Sequence, residues 1–311
     1  MMPWRMFASV AILLMLTGCR RVEGRKLVFV IVPSQDNPFF KAEADAAAAE
    51  AQRLGYATRV EAHDDDAYRQ DNLIDAAIAS NASAIVLDDA GSDSSVSAVR
   101  RAAVKGIPVF LVDREIEISG IAKAQIIADN DQGARLVAAE FVRSMPRKGD
   151  YAELLGRESD TNAQIRTKGF HAVLDGETGL KLVSAQSANW SQSEAFQKTE
   201  TMLQAHPSIA GIIAGNDTMA LGAAAAVKSA GLNGMRIVGF DGSPDAIAAI
   251  RAGEMQATSL QPAVYIARMA VDEADRYMKS GSTGAPERQI VPCDLVTRSN
   301  ATNYGNFEKL R

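Results

Sequence analysis

Five short stretches place polar side chains just past apolar, strand-like runs, the position at which α/β proteins bind ligands. They are "DNPFF" with Asn37, Phe39 and Phe40, "VDR" with Asp113 and Arg114, "GND" with Asn216, "GFDG" with Phe240 and Asp241, and "SLQP" with Gln261. Arg166, on a helix beginning near Thr161, and Trp190, in the loop "SANWSQ", belong with them. Alone, an Asp at a strand end is more often a cap or a turn residue. Together the set brings amides, carboxylates, guanidiniums and rings to one side of the sheets, a mixture that suits a polyhydroxylated ring. A hydroxyl both donates and accepts, so Asp113 and Asp241 take its protons while Arg114 and Arg166 feed its oxygens through charge-assisted bonds. Its apolar C–H faces call for flat aromatic surfaces, with Phe39 or Phe40 on one side and Phe240 or Trp190 on the other.

The same residues could in principle do other chemistry. Asp113 and Asp241 could form the carboxylate pair that glycoside hydrolysis requires, but no nucleophile motif such as G-x-S-x-G accompanies them. The chain is therefore read as a binder and not an enzyme. His63, His171 and His206 lie far apart without ligand spacing, so neither a metal nor another cofactor is expected.

These residues need a scaffold that brings distant strand ends together. "KLVFVIV", Lys26 to Val32, is too continuously apolar for a wet sheet face. The alanine-rich run Phe39 to Leu54 follows it, with Asn37 at the N-cap, Pro38 at the first helical position and Gly55 closing the helix. About ten strand-like runs then alternate with amphipathic stretches. That is more than one sheet usually carries, so the pattern predicts an α/β fold of two doubly wound parallel-sheet lobes. The expected division is residues 26–127 plus 262–290 for the N-terminal lobe and 128–261 plus 291–311 for the C-terminal lobe, with a crossing near Asp129 and Asn130. The acidic run Asp64 to Asp66 is expected to be a solvated loop.

The chain of 311 residues has a net charge of −5 and no basic stripe, which argues against nucleic acid as partner. Arg5, the short apolar run Met6 to Leu16 and "LTGC" read as a lipoprotein signal peptide over residues 1–18. Cys19 would then be the lipidated first residue and residues 19–25 a polar tether, leaving the protein exported and held to a membrane by its anchor. Cys293 has no partner and is expected to be buried.

"DNPFF", "VDR", "RTKGF", "GNDTMALGA", "VGFDG" and "SLQP", in this order, resemble the periplasmic ribose-binding proteins among the type 1 sugar-binding proteins of ABC importers. The resemblance runs from Lys26 to about Thr297. It implies two lobes joined by a three-segment hinge that close on one monosaccharide, a monomer, and an ABC permease as partner. It also implies Asn37, Phe39, Phe40, Asp113, Arg114, Arg166, Asn216, Asp241 and Gln261 as sugar contacts, with Phe240 as the ring beside the aspartate. Trp190 stands where ribose binders carry phenylalanine and glucose/galactose binders tryptophan. Its breadth favours a pyranose, of a ribose-like pentose or a hexose. The calcium loop of the glucose/galactose binders has no match, since "DGETG" from Asp175 does not fit it. Sugar-responsive repressors share the fold but need a helix-turn-helix where this chain has an export signal. A second reading has the loaded lobes recognised by a chemoreceptor or sensor kinase.

Overall fold

A computed structural model describes residues 26–310. The first lobe begins β1 (Leu27–Val32), α1 (Pro38–Arg53), β2 (Ala57–Ala62), α2 (Ala67–Ala79), β3 (Ala84–Leu87), α3 (Val96–Val104), β4 (Val109–Val112) and β5 (Ala124–Ala128). The second runs α4 (Asn130–Ser144), β6 (Gly149–Leu155), α5 (Thr161–Leu174), β7 (Leu180–Ser187), α6 (Gln192–Ala205), β8 (Ile209–Ala214), α7 (Asp217–Ser229), β9 (Arg236–Asp241), α8 (Pro244–Ala252) and β10 (Ala257–Leu260). The chain then returns to the first lobe with α9 (Ala263–Ser280) and β11 (Arg288–Val291), and to the second with β12 (Asp294–Thr297). A hairpin of β13 (Tyr304–Gly305) and β14 (Glu308–Lys309) follows.

Each lobe has a six-stranded sheet, ordered β11-β5-β4-β3-β1-β2 in the first and β12-β10-β9-β8-β6-β7 in the second. All neighbours run parallel except β12, which is antiparallel to β10. Strands β3, β4, β5 and β10 are buried throughout, as strands are when helices cover both faces of a parallel sheet. Parallel order turns the carboxyl ends of each sheet to one edge, and the two edges face each other across a cleft.

The lobes are joined at three crossings, around Asp129, at Gln261–Pro262 and at Pro292–Cys293. Two of them are tied side by side. The Asp129 amide donates to the Val291 carbonyl at 2.7 Å, and Gln132 bonds both the amide and the carbonyl of Cys293, at 2.9 and 3.1 Å. Cys293 is free and buried there, and burial pushes its thiol up to about 12, so it is inert packing at the hinge.

Two details depart from expectation. Beyond β12 the tail is shared between lobes. Ala301 and Tyr304 join the apolar core of the second lobe, but Phe307 packs against Phe39 of the first. The loop Asp64 to Asp66 is only partly solvated. Asp64 and Asp66 are exposed, whereas Asp65 turns inward to Arg114 and Arg157. No helix among the described residues is long and apolar enough to cross a membrane, and Cys19 and the expected signal peptide lie outside them.

Candidate ligand-binding site between the lobes

Three helices start at the cleft, and their caps line it. The side chains of Asn37, Asp160 and Asn216 accept from the amides of Phe39, Asn162 and Met219, opening α1, α5 and α7. A residue that satisfies a helix start thus also faces the ligand space, because the helix N-termini converge on it. The cavity they enclose is narrow. Asn37, Phe39, Phe40 and Asp113 line it from the first lobe, and Asp160, Asn162, Arg166, Trp190, Asn216 and Asp241 from the second, with Gln261 at a crossing.

Arg166 organises the second-lobe wall. Its Nε donates to Asn130 Oδ1 at 2.7 Å, and Nη1 donates to the Gly215 carbonyl at 3.0 Å and meets Asp241 Oδ1 at 3.4 Å. The guanidinium lies 3.9 Å from the Phe240 ring centroid and 5.5 Å from that of Trp190. Asp241 Oδ1 also accepts from Gln261 Nε2 at 2.9 Å. Trp190 donates from Nε1 to Asp160 Oδ2 at 3.1 Å. Its indole is seated on Gly156, where a Cβ would come within 2.0 Å of the ring.

Asp113, Trp190 and Asp241 have φ of +58°, +65° and +119°. This region suits glycine, and three larger residues held in it around one cavity mark a wall whose side-chain directions outrank local backbone preference. Burial raises the carboxyls here. Asp113 is pushed up to about 6 against the pull of Arg166, and Asp241 lies well above its ordinary value for the same opposed reasons. A ligand hydroxyl can donate to such a carboxyl when it is ionised and accept from it when it is protonated. No grouping of three or more His, Cys, Asp or Glu suited to a metal occurs among the described residues.

Two expected contacts lie elsewhere. Arg114 does not line the cavity; it sits behind Phe40, 5.2 Å from the ring centroid, among Asp65 at 2.8 Å, Asp88 at 3.5 Å and Asp160 at 2.9 Å. The approach to Asp160 is an ion pair without the alignment of a hydrogen bond. Phe240 is fully buried and supports the cavity through the guanidinium of Arg166. Two lining residues, Asp160 and Asn162, were not expected. Asn162 Nδ2 reaches the carbonyl and carboxylate of Asp113 at 3.2 and 3.3 Å, across the cleft.

Comparison with known proteins agrees with this geometry. A periplasmic binding protein domain matches residues 28–283. The D-apiose import binding protein of Paraburkholderia graminis is 54% identical over 96% of both chains. That of Actinobacillus succinogenes is 52% identical over 90% of this chain and 91% of its own. Among solved structures, an ABC transporter periplasmic solute binding protein from A. succinogenes with bound D-allose superposes with a TM-score of 0.84 at 27% identity, covering 90% of this chain and 100% of the other. With two parallel-sheet lobes, three crossings and a polar, ring-lined cavity between them, this chain belongs to the type 1 periplasmic sugar-binding protein family.

Proposed function

We propose that this protein captures D-apiose between its lobes and hands it to an ABC-type importer, acting outside the cytoplasm as a monomeric binder and not an enzyme. The observation that carries the sugar is the similarity, above half identity over nearly the whole chain, to two relatives named for D-apiose import. The cavity supports a small ligand. It is closed in by side chains from both lobes and from a crossing, so one ring fits better than two. D-Apiose is a branched pentose whose carbon skeleton closes only into five-membered rings. We therefore favour a furanose over the pyranose that the breadth of Trp190 suggests. Asp113, Asp160 and Asp241 disfavour an anion, and the amides of Asn37, Asn162, Asn216 and Gln261 suit the hydroxyls of an uncharged polyol.

The test is calorimetry and thermal shift with D-apiose, D-ribose, D-allose, myo-inositol, a disaccharide and an amino acid. D-Apiose is expected to bind tightest and to stabilise by about 2.7 kcal/mol at a hundredfold excess over Kd. Binding of D-ribose or D-allose with none of D-apiose would overturn the sugar assignment. Binding of the disaccharide or amino acid alone would overturn the monosaccharide class.

The sequence "LTGC" supports lipid anchoring at Cys19. The native protein should sediment with membranes and Cys19→Ser should release it or leave it unprocessed. Wholly soluble native protein without an acylated N-terminal peptide would refute the anchor.

A further inference from the structure

After β12 the chain turns through a short 3-10 helix, Ala301–Asn303, and ends in the β13–β14 hairpin. This segment touches both lobes. Ala301 and Tyr304 are buried in the core of the second lobe, with β13 against α8. Three residues later Phe307 is buried against Phe39 of the first, with β14 against α9. Tyr304 pairs with Lys309 and Gly305 with Glu308, leaving Asn306 and Phe307 as the two turn residues.

Both turn residues have positive φ, +48° and +56°, as the tight hairpin turn of the primed type requires. Asn suits that conformation and glycine suits the second position; a phenylalanine there is an outlier that the turn alone does not explain. The ring explains it. Phe307 is 1% exposed and stands edge-on to Phe39, with centroids 5.5 Å apart and planes at 88°. Phe39 meets Phe40 in the same manner on another side, at 5.4 Å and 84°. Phe39 lines the cavity and Phe307 does not. The wall ring is therefore gripped between its neighbour in α1 and a ring supplied from the far end of the chain. Arg268 and Glu308 also bridge α9 to the hairpin at 3.2 Å, but this pair is solvated and adds little.

We propose that the C-terminal hairpin is a clip that links the two lobes beside the cavity, and that Phe307 is a positioning residue for Phe39 in the sugar site. This rests on the binding reading above. The ligand then meets a wall whose orientation is set by a residue it never touches, and sugar affinity depends on the hairpin as well as on the contact residues.

The experiment compares the full-length protein with its Phe307→Gly and Phe307→Ala variants, by calorimetry with D-apiose, by melting without sugar, and by crystal structures without sugar. Glycine suits the turn better than phenylalanine. If Phe307 serves only the turn, F307G keeps its melting temperature and its affinity. Positioning predicts instead that both variants lose about tenfold in affinity, the upper end of what an aromatic pair contributes, and that Phe39 swings from its place, even where F307G melts no lower than the native protein. Affinity in F307G within about twofold of native would overturn the proposal. Should neither variant fold, it is overturned too, since the residue would then hold the fold and not the ring. If the native protein binds no sugar in the panel, the functional reading fails separately. The F307G crystal structure then decides: a displaced Phe39 upholds the clip, and an unmoved one overturns it.

Discussion

Arg114 of the first lobe and Asp160 of the second meet across the cleft at 2.9 Å. Arg157 and Asp65 make a second pair across it at 3.2 Å. Asp160 also accepts from Trp190, so one carboxylate ties the closed lobes together and steadies the widest ring of the cavity. Both Arg114 and Asp160 are almost wholly buried, so the pair is weakly screened and exists only when the cleft is shut.

Asp160→Asn should therefore shift the unliganded protein towards an open form. Apparent affinity falls with the fraction of closed, competent molecules, so a loss of about 10-fold to 100-fold is expected for D-apiose. Small-angle scattering without sugar should give a larger radius of gyration than the native protein. An identical radius and affinity would show that the pair contributes nothing to closure.

Removing Asp241 or Arg166 strands a buried partner of opposite charge. Alanine at either position should cost about 2 to 5 kcal/mol of sugar affinity by calorimetry. The double variant should lose less than the sum, because the stranded charge is then gone.

Gly156→Ala tests the seat of the indole. The new methyl would lie 2.0 Å from Trp190, so the ring must move. Overpacking of this kind costs about 1 to 3 kcal/mol of stability. Trp190 is the only tryptophan among the described residues, so its emission should change with the substitution and no longer respond to sugar as in the native protein. Native-like emission and affinity would mean that the loop yields without consequence.

His171 gives stability a dependence on pH. Its hydrogen bond to Glu153, helped by Asp175, raises its pKa to about 9 against the ordinary 6.5. A raised folded value means the stabilisation is complete below about pH 6.5 and is lost as pH rises through 9. The ring is partly solvated, so the contribution is held to about 1 kcal/mol. Chemical denaturation of His171→Ala and native protein should differ by that amount at pH 6 and converge by pH 10. A constant difference across the range would rule out this linkage.

Much of the scaffold was legible because β-branched runs and alanine-rich amphipathic stretches alternate without ambiguity, and helix starts carry Asn or Asp caps. Most lining residues followed from standing at strand ends. Arg114 shows where that rule stops. Past the end of β4 the backbone turns through Asp113 at φ +58°, and Arg114 is drawn behind the cavity to Asp65, Asp88 and Asp160. Phe240, the residue before Asp241, is fully buried. Asp160 could have been found, as the cap just before α5 on the pattern of Asn37 and Asn216. Asn162 could not, because its bond to Asp113 is made only when the lobes meet. Phe307 was hidden as well, since local preference argues against a bulky residue in that turn.

The order of the chain also constrains how the molecule is assembled. Strand β11 completes the sheet that β1 began, and α9 covers α1, yet both are specified after five of the six strands of the second sheet. A nascent chain ending before Ala263 would carry β5 as a bare sheet edge and the apolar side of α1 uncovered, an invitation to strand pairing between molecules. Pairings so distant in sequence also make for slow folding. Neither half can be produced as one contiguous fragment, and the N-terminal half waits, unfinished, for the ribosome to reach the end of the message.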